Sequence, residues 1–134
     1  MPNTQAIGVA YSDPEFTTMY ASQEIGYSAG AQGTVTQATS KSTAVTLNKS
    51  AGRITMNAAE LAANTAVSFT MNNSLISAND TIIVNVSGGA TAGAYTTYIS
   101  SMTTGSAVVT LRNLTASALS EAVIINFATI HGAS

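Results

Sequence analysis

From Gly33 onward one pattern dominates the chain: short runs in which every second residue is apolar, broken by Gly, Ser, Thr and Asn. Residues 34–39, 44–48, 53–57 and 66–72 alternate in this way, while 81–87 and 122–130 are more continuously apolar. Residues 94–100 and 106–112 complete the set. A period of two places alternate side chains on opposite faces of an extended backbone, one toward a core and one toward solvent. The runs are rich in the β-branched Val, Ile and Thr that suit a pleated, half-buried surface. Gly88-Gly89, Gly93, Gly105 and Asn79-Asp80 separate them as turns. Eight short strands at this spacing predict an all-β fold, an antiparallel β-sandwich of jelly-roll-like type, rather than an α/β protein. Asn57-Ala58-Ala59-Glu60-Leu61-Ala62-Ala63-Asn64 departs from the pattern. Helix formers behind an Asn cap predict a single helical turn there.

Residues 1–33 show neither period, yet they hold Tyr11, Phe16, Tyr20 and Tyr27, half of the aromatic residues in a chain with Tyr 5, Phe 3 and Trp 0. A free tail is normally poor in aromatics. Such large apolar side chains need a surface to bury them: the chain's own sandwich, a sister subunit or a foreign protein. The expected organisation is an N-terminal attachment arm over 1–33 and a β-sandwich domain over 34–134, with Gly26, Gly30 and Gly33 as the joint.

Charge narrows the function classes. Lys+Arg 4 against Asp+Glu 6 leaves a net charge of -2, and only 7% of residues are charged. An ordinary soluble domain carries about 25%. Nucleic acid and anionic lipid both require clustered Lys and Arg, so neither is an expected partner. With Cys 0, disulfides, thiolate nucleophiles and cysteine-based metal sites are excluded. The N-terminus has no basic n-region or long apolar run, and no segment approaches the roughly 20 apolar residues that span a bilayer. Synthesis in a cytoplasm without membrane insertion is expected. A surface of neutral hydroxyls and amides suits contact with copies of itself, because uncharged groups are cheaper to desolvate. With Lys and Pro scarce, sheet edges lack their usual protection, and a closed homo-oligomer, a trimer or else a dimer, would hide them.

Few residues invite chemistry. His131 is the only histidine and lies near the terminus, where an ordinary strand-end role is expected. The acids Asp13, Glu15, Glu24, Glu60, Asp80 and Glu121 are scattered, and no pair sits on rigid elements as glycoside hydrolysis requires. They are expected to be solvated turn and cap residues. The Gly-rich 88–94 segment lacks the Lys-Ser or Lys-Thr of a phosphate loop and precedes a strand, so it is expected to be a hairpin loop. Asn79-Asp80 lacks the further oxygen ligands of a calcium site. Five Asn-X-Ser/Thr matches, at Asn48, Asn72, Asn79, Asn85 and Asn113, are expected by chance in so polar a chain. No enzyme activity, cofactor or metal is expected.

Residues 35–132, about three quarters of the chain, resemble small β-sandwich virion proteins of tailed bacteriophages. The resemblance rests on Val35-Thr36-Gln37-Ala38-Thr39-Ser40-Lys41-Ser42-Thr43-Ala44-Val45-Thr46-Leu47-Asn48, on Gly52-Arg53-Ile54-Thr55-Met56, and on Arg112-Asn113-Leu114-Thr115-Ala116-Ser117-Ala118-Leu119-Ser120-Glu121-Ala122. It implies a capsid decoration (cement) protein on the outer surface of a phage head, partnered by the major capsid protein, or else a head or tail fibre or glycan-binding module. It names a strand layout and no catalytic residue. In that setting Tyr11, Phe16, Tyr20 and Tyr27 are the expected anchors to the capsid or to a neighbouring subunit. For the fibre reading Tyr95 and Tyr98 are the candidate sugar platform, although their spacing puts them on opposite faces of a strand.

Overall fold

The structure, a computed structural model, describes residues 16–132. Each of the eight predicted strands is present: β1 (Gln32–Thr36), β2 (Val45–Thr46), β3 (Ala51–Thr55), β4 (Ala66–Asn72), β5 (Thr81–Gly88), β6 (Tyr95–Thr103), β7 (Ser106–Asn113) and β8 (Ile124–Ile130). They form two four-stranded sheets, ordered β1-β3-β8-β5 and β2-β4-β7-β6. The fold is an all-β sandwich.

The sheets are mixed rather than wholly antiparallel. β1 pairs parallel with β3, and β2 pairs parallel with β4. The chain order explains this. Apart from the β6–β7 hairpin, every connection between consecutive strands crosses from one sheet to the other. Two successive crossings reverse direction twice, so the returning strand runs with its predecessor. The parallel pairs are thereby confined to one edge of each sheet. The 88–94 segment is one of these crossings, from β5 to β6, and not the expected hairpin loop. It turns on Gly89, whose φ is 64° and where an added Cβ would run into the Ala122 carbonyl oxygen.

Alternation places the core as the sequence implies. Ile54, Met71, Val109, Leu111 and Ile125 meet between the sheets with essentially no exposure, and Phe69 and Phe127 join them. Phe127 needs space over β3. Gly52, paired with both Gly33 and Phe127, provides it, since a Cβ there would lie 3.0 Å from the Phe127 ring and 2.7 Å from the Gly33 carbonyl oxygen.

The helical turn expected over 57–64 is absent. The Asn57 side-chain oxygen accepts the Ala59 N–H at 2.9 Å, a local turn that competes with a helix. Leu61 is buried and exchanges backbone hydrogen bonds with Leu119 at 2.9 and 3.1 Å, which holds the segment extended. No helix among the described residues is long and apolar enough to cross a membrane.

Candidate functional site

The arm divides at Tyr27. Its hydroxyl donates to the Thr129 carbonyl in β8, and its own carbonyl accepts from the Gln32 side-chain amide at 2.8 Å. A short 3-10 turn over Ala29–Ala31 follows, clamped by Lys49 Nζ donating to the Gly30 carbonyl at 2.9 Å and by Ser50 N–H donating to Ala31. Upstream of that root, residues 16–26 form no helix or strand, and none of them hydrogen-bonds to the sandwich. Phe16 is 63% exposed, Met19 65%, Tyr20 92% and Ile25 79%, whereas Tyr27 is 39%. Four large apolar side chains therefore stand in solvent along one stretch.

Beside the root lies a groove of about 600 Å³ on the outer face of β1, β3 and β8. Cross-strand register explains its shape. Gln32, Ala51 and Ala128 fall in one row, so the middle of the face carries only methyl groups. Thr34, Arg53 and Asn126 form the adjacent polar row. Tyr27 makes one wall of the groove and Arg53 is the only charge in its lining among the described residues. Arg53 is exposed and donates from Nε to the Asn126 side-chain oxygen at 3.3 Å, with no carboxylate within ion-pair distance among the described residues.

The titratable groups serve the scaffold. Lys41 is buried and donates from Nζ to the carbonyls of Asn57 and Glu121; burial lowers its pKa, opposed by the Glu121 charge. Gln37, also buried, donates to the Lys41 and Thr43 carbonyls at 3.0 and 2.9 Å and accepts from Asn57 N–H. The Glu121 carboxylate accepts from the Thr91 hydroxyl at 2.7 Å and its N–H at 3.1 Å, and these bonds hold its pKa below the usual value. The Tyr95 hydroxyl nearby meets no partner in hydrogen-bonding geometry. Burial above all, with Glu121 adding to it, pushes its pKa up to about 12.

Asp80 is not the solvated turn residue expected. It is buried, and its carboxylate accepts from Ser77 N–H, Ser77 Oγ, Gly132 N–H and His131 Nδ1 at 2.8 to 3.1 Å. The Ser77 backbone bond leads in holding its pKa far below the carboxylate range. His131 is exposed and sits at the strand end as expected. An Asp–His pair is two thirds of a catalytic triad, but the nearby Ser77 hydroxyl donates to the carboxylate rather than to the imidazole. That geometry orients the C-terminal segment and activates no nucleophile.

Of the anchors expected from the sequence, Phe16 and Tyr20 are exposed on the arm, Tyr27 is partly held by β8, and Tyr11 lies outside the described residues, as do Asp13 and Glu15. Tyr95 packs against the core while Tyr98 is 47% exposed, on opposite faces as their spacing requires. Sequence reasoning missed Lys41, Gln37 and Arg53. A lone Lys in a Ser-rich turn gives no signal of burial, and the groove beside Arg53 exists only through the pairing of β1, β3 and β8. Asn113 is buried with both ends of its amide bonded to nearby loops, so it is no surface acceptor for glycosylation. No protein-family model, curated protein or solved structure matches the chain.

Proposed function

We propose that this chain is a structural virion protein that decorates and stabilises a phage capsid, with the N-terminal arm as its assembly element. The observation that carries the reading is the row of Phe16, Met19, Tyr20 and Ile25, large apolar residues that the chain's own sandwich leaves in solvent. Exposed aromatics on an extended segment are the kind of group that becomes an interface anchor once a partner excludes water. The weakly charged surface supports the same reading, since only 7% of residues carry charge that packing against a shell would have to desolvate. An oligomer would multiply weak single grips into firm attachment.

One observation favours a fibre or glycan-binding role instead. Tyr98 stands exposed on the outer face of β6, opposite Thr110, whose hydroxyl joins Ser68 and Ser100 at 2.7 and 3.0 Å. An aromatic face beside hydroxyls is sugar-binding chemistry.

Cryo-electron microscopy of the native particle separates these roles. Density repeated across the shell supports decoration, density confined to the tail or to unique vertices supports the fibre reading, and absence from the particle overturns both. A chain lacking residues 1–26, which keeps the Tyr27 contact, is expected to fold and to lose particle binding. Saturation of particles by the truncated chain would remove the arm from the proposal.

A further inference from the structure

Among the described residues, none of 16–25 lines the groove, and arm and groove belong to the same chain. We propose that the groove beside Tyr27 receives the arm of a second copy, residues 16–25, so that copies associate by exchanging arms. The inference goes beyond the capsid reading, because exchange between copies stands whether or not a capsid is the larger assembly.

Chemistry matches the two surfaces. The groove has a floor of methyl groups from Ala51 and Ala128, and the arm supplies the large side chains Phe16, Met19, Tyr20 and Ile25. Its volume of about 600 Å³ falls within the range of sites that enclose a ligand. Charge matches as well. Glu24 is the one charged residue between Phe16 and Gly26, and it is exposed without an ion pair. Among the described residues, Arg53 is the one charge lining the groove and also lacks a carboxylate within ion-pair distance. Opposite single charges on otherwise neutral surfaces set register and exclude wrong partners.

Geometry favours exchange over folding back. The root is fixed at the rim of its own groove by the Tyr27 bond to Thr129 and by the clamp on Ala29–Ala31, and residues 16–26 leave from there without a hydrogen bond to the sandwich. Extended, ten residues reach about 33 Å. A four-stranded sheet is about 15 to 20 Å across. The arm is therefore long enough to cross a neighbour's face. Exchange of identical elements between identical copies is a low-cost route to a closed oligomer.

The test uses the full chain with the Glu24→Arg and Arg53→Glu variants, both at exposed positions, read by sedimentation or light scattering across a concentration series. Wild type is expected to self-associate, and each single reversal to weaken association about tenfold or more, since like charges then meet. Mixing the two single variants in equal amounts is expected to restore association, because each arm then finds a groove of opposite charge. Only exchange between copies can be rescued by mixing. Tyr20→Ser, at a site where the sandwich has nothing to lose, is expected to weaken association about 30-fold, as loss of a buried anchor does. A wild type that stays monomeric at its highest soluble concentration overturns the proposal. So does association that ignores both charge reversals, or rescue by the double variant without rescue by mixing. Particle binding by a chain that fails these tests would leave the decoration reading standing.

Discussion

The sandwich and the arm treat the same kinds of residue in opposite ways. In the sandwich Ile54, Leu111 and Ile125 are wholly buried, and even the polar Lys41, Asn73, Asp80 and Asn113 lie inside with hydrogen-bond partners. In the arm Phe16 and Tyr20 are largely exposed to water. A chain this short holds few aromatics, and Phe16 and Tyr20 are two that stand outside its core. The sandwich buries its apolar side chains, and the described part of the arm leaves Phe16, Met19, Tyr20 and Ile25 largely exposed. Substitution should therefore have opposite consequences in the two regions.

The largest effect on folding is expected at Leu111→Ala, which opens a cavity between the sheets and should cost about 2–5 kcal/mol in urea denaturation. A cost under about 0.5 kcal/mol, the scale of ordinary surface substitutions, would mean the core there is not closed. Next comes Lys41→Met. It keeps an unbranched apolar stem but orphans the Asn57 and Glu121 carbonyls, and a loss of about 1–3 kcal/mol is expected by the same measurement.

Acid sharpens the comparison within the sandwich. The Asp80 pKa is lower in the folded state than the unfolded value of about 3.9. Its contribution is therefore complete above that value and is lost as pH falls below 4 toward the folded pKa. A pH series of urea midpoints should decline in that acid window, and Asp80→Asn should flatten the decline; an unchanged slope would show that the carboxylate is not the linked group. The smallest effect is expected in the arm. Phe16→Ser and Tyr20→Ser should leave the unfolding midpoint of dilute, monomeric protein within about 0.5 kcal/mol of wild type. A larger loss would mean that the arm packs on its own sandwich.

Much of this division is legible in the sequence. Alternation is a local signal, and it located strands with an inner and an outer face, as in Val67, Phe69 and Met71 of β4, while β5 and β8 showed as more continuous apolar runs. The aromatic excess before Gly33 drew attention to Phe16 and Tyr20, which the structure leaves exposed. Local signals failed where a distant residue decided the outcome. Residues 57–64 have helix-forming composition, yet Leu61 is drawn into a bridge with Leu119, 58 positions away. Asp80 looks like a turn acid until Gly132 and His131 arrive from the far end of the chain.

What the sequence alone determined is the two-sided character of the strands and the scarcity of charge, since each follows from the order and type of neighbouring residues. Only the tertiary structure decided the parallel edge pairs, the buried Lys41 and the groove beside Arg53. Each of those depends on which strands lie side by side, and that choice is made by packing two sheets around one core rather than by any run of residues along the chain.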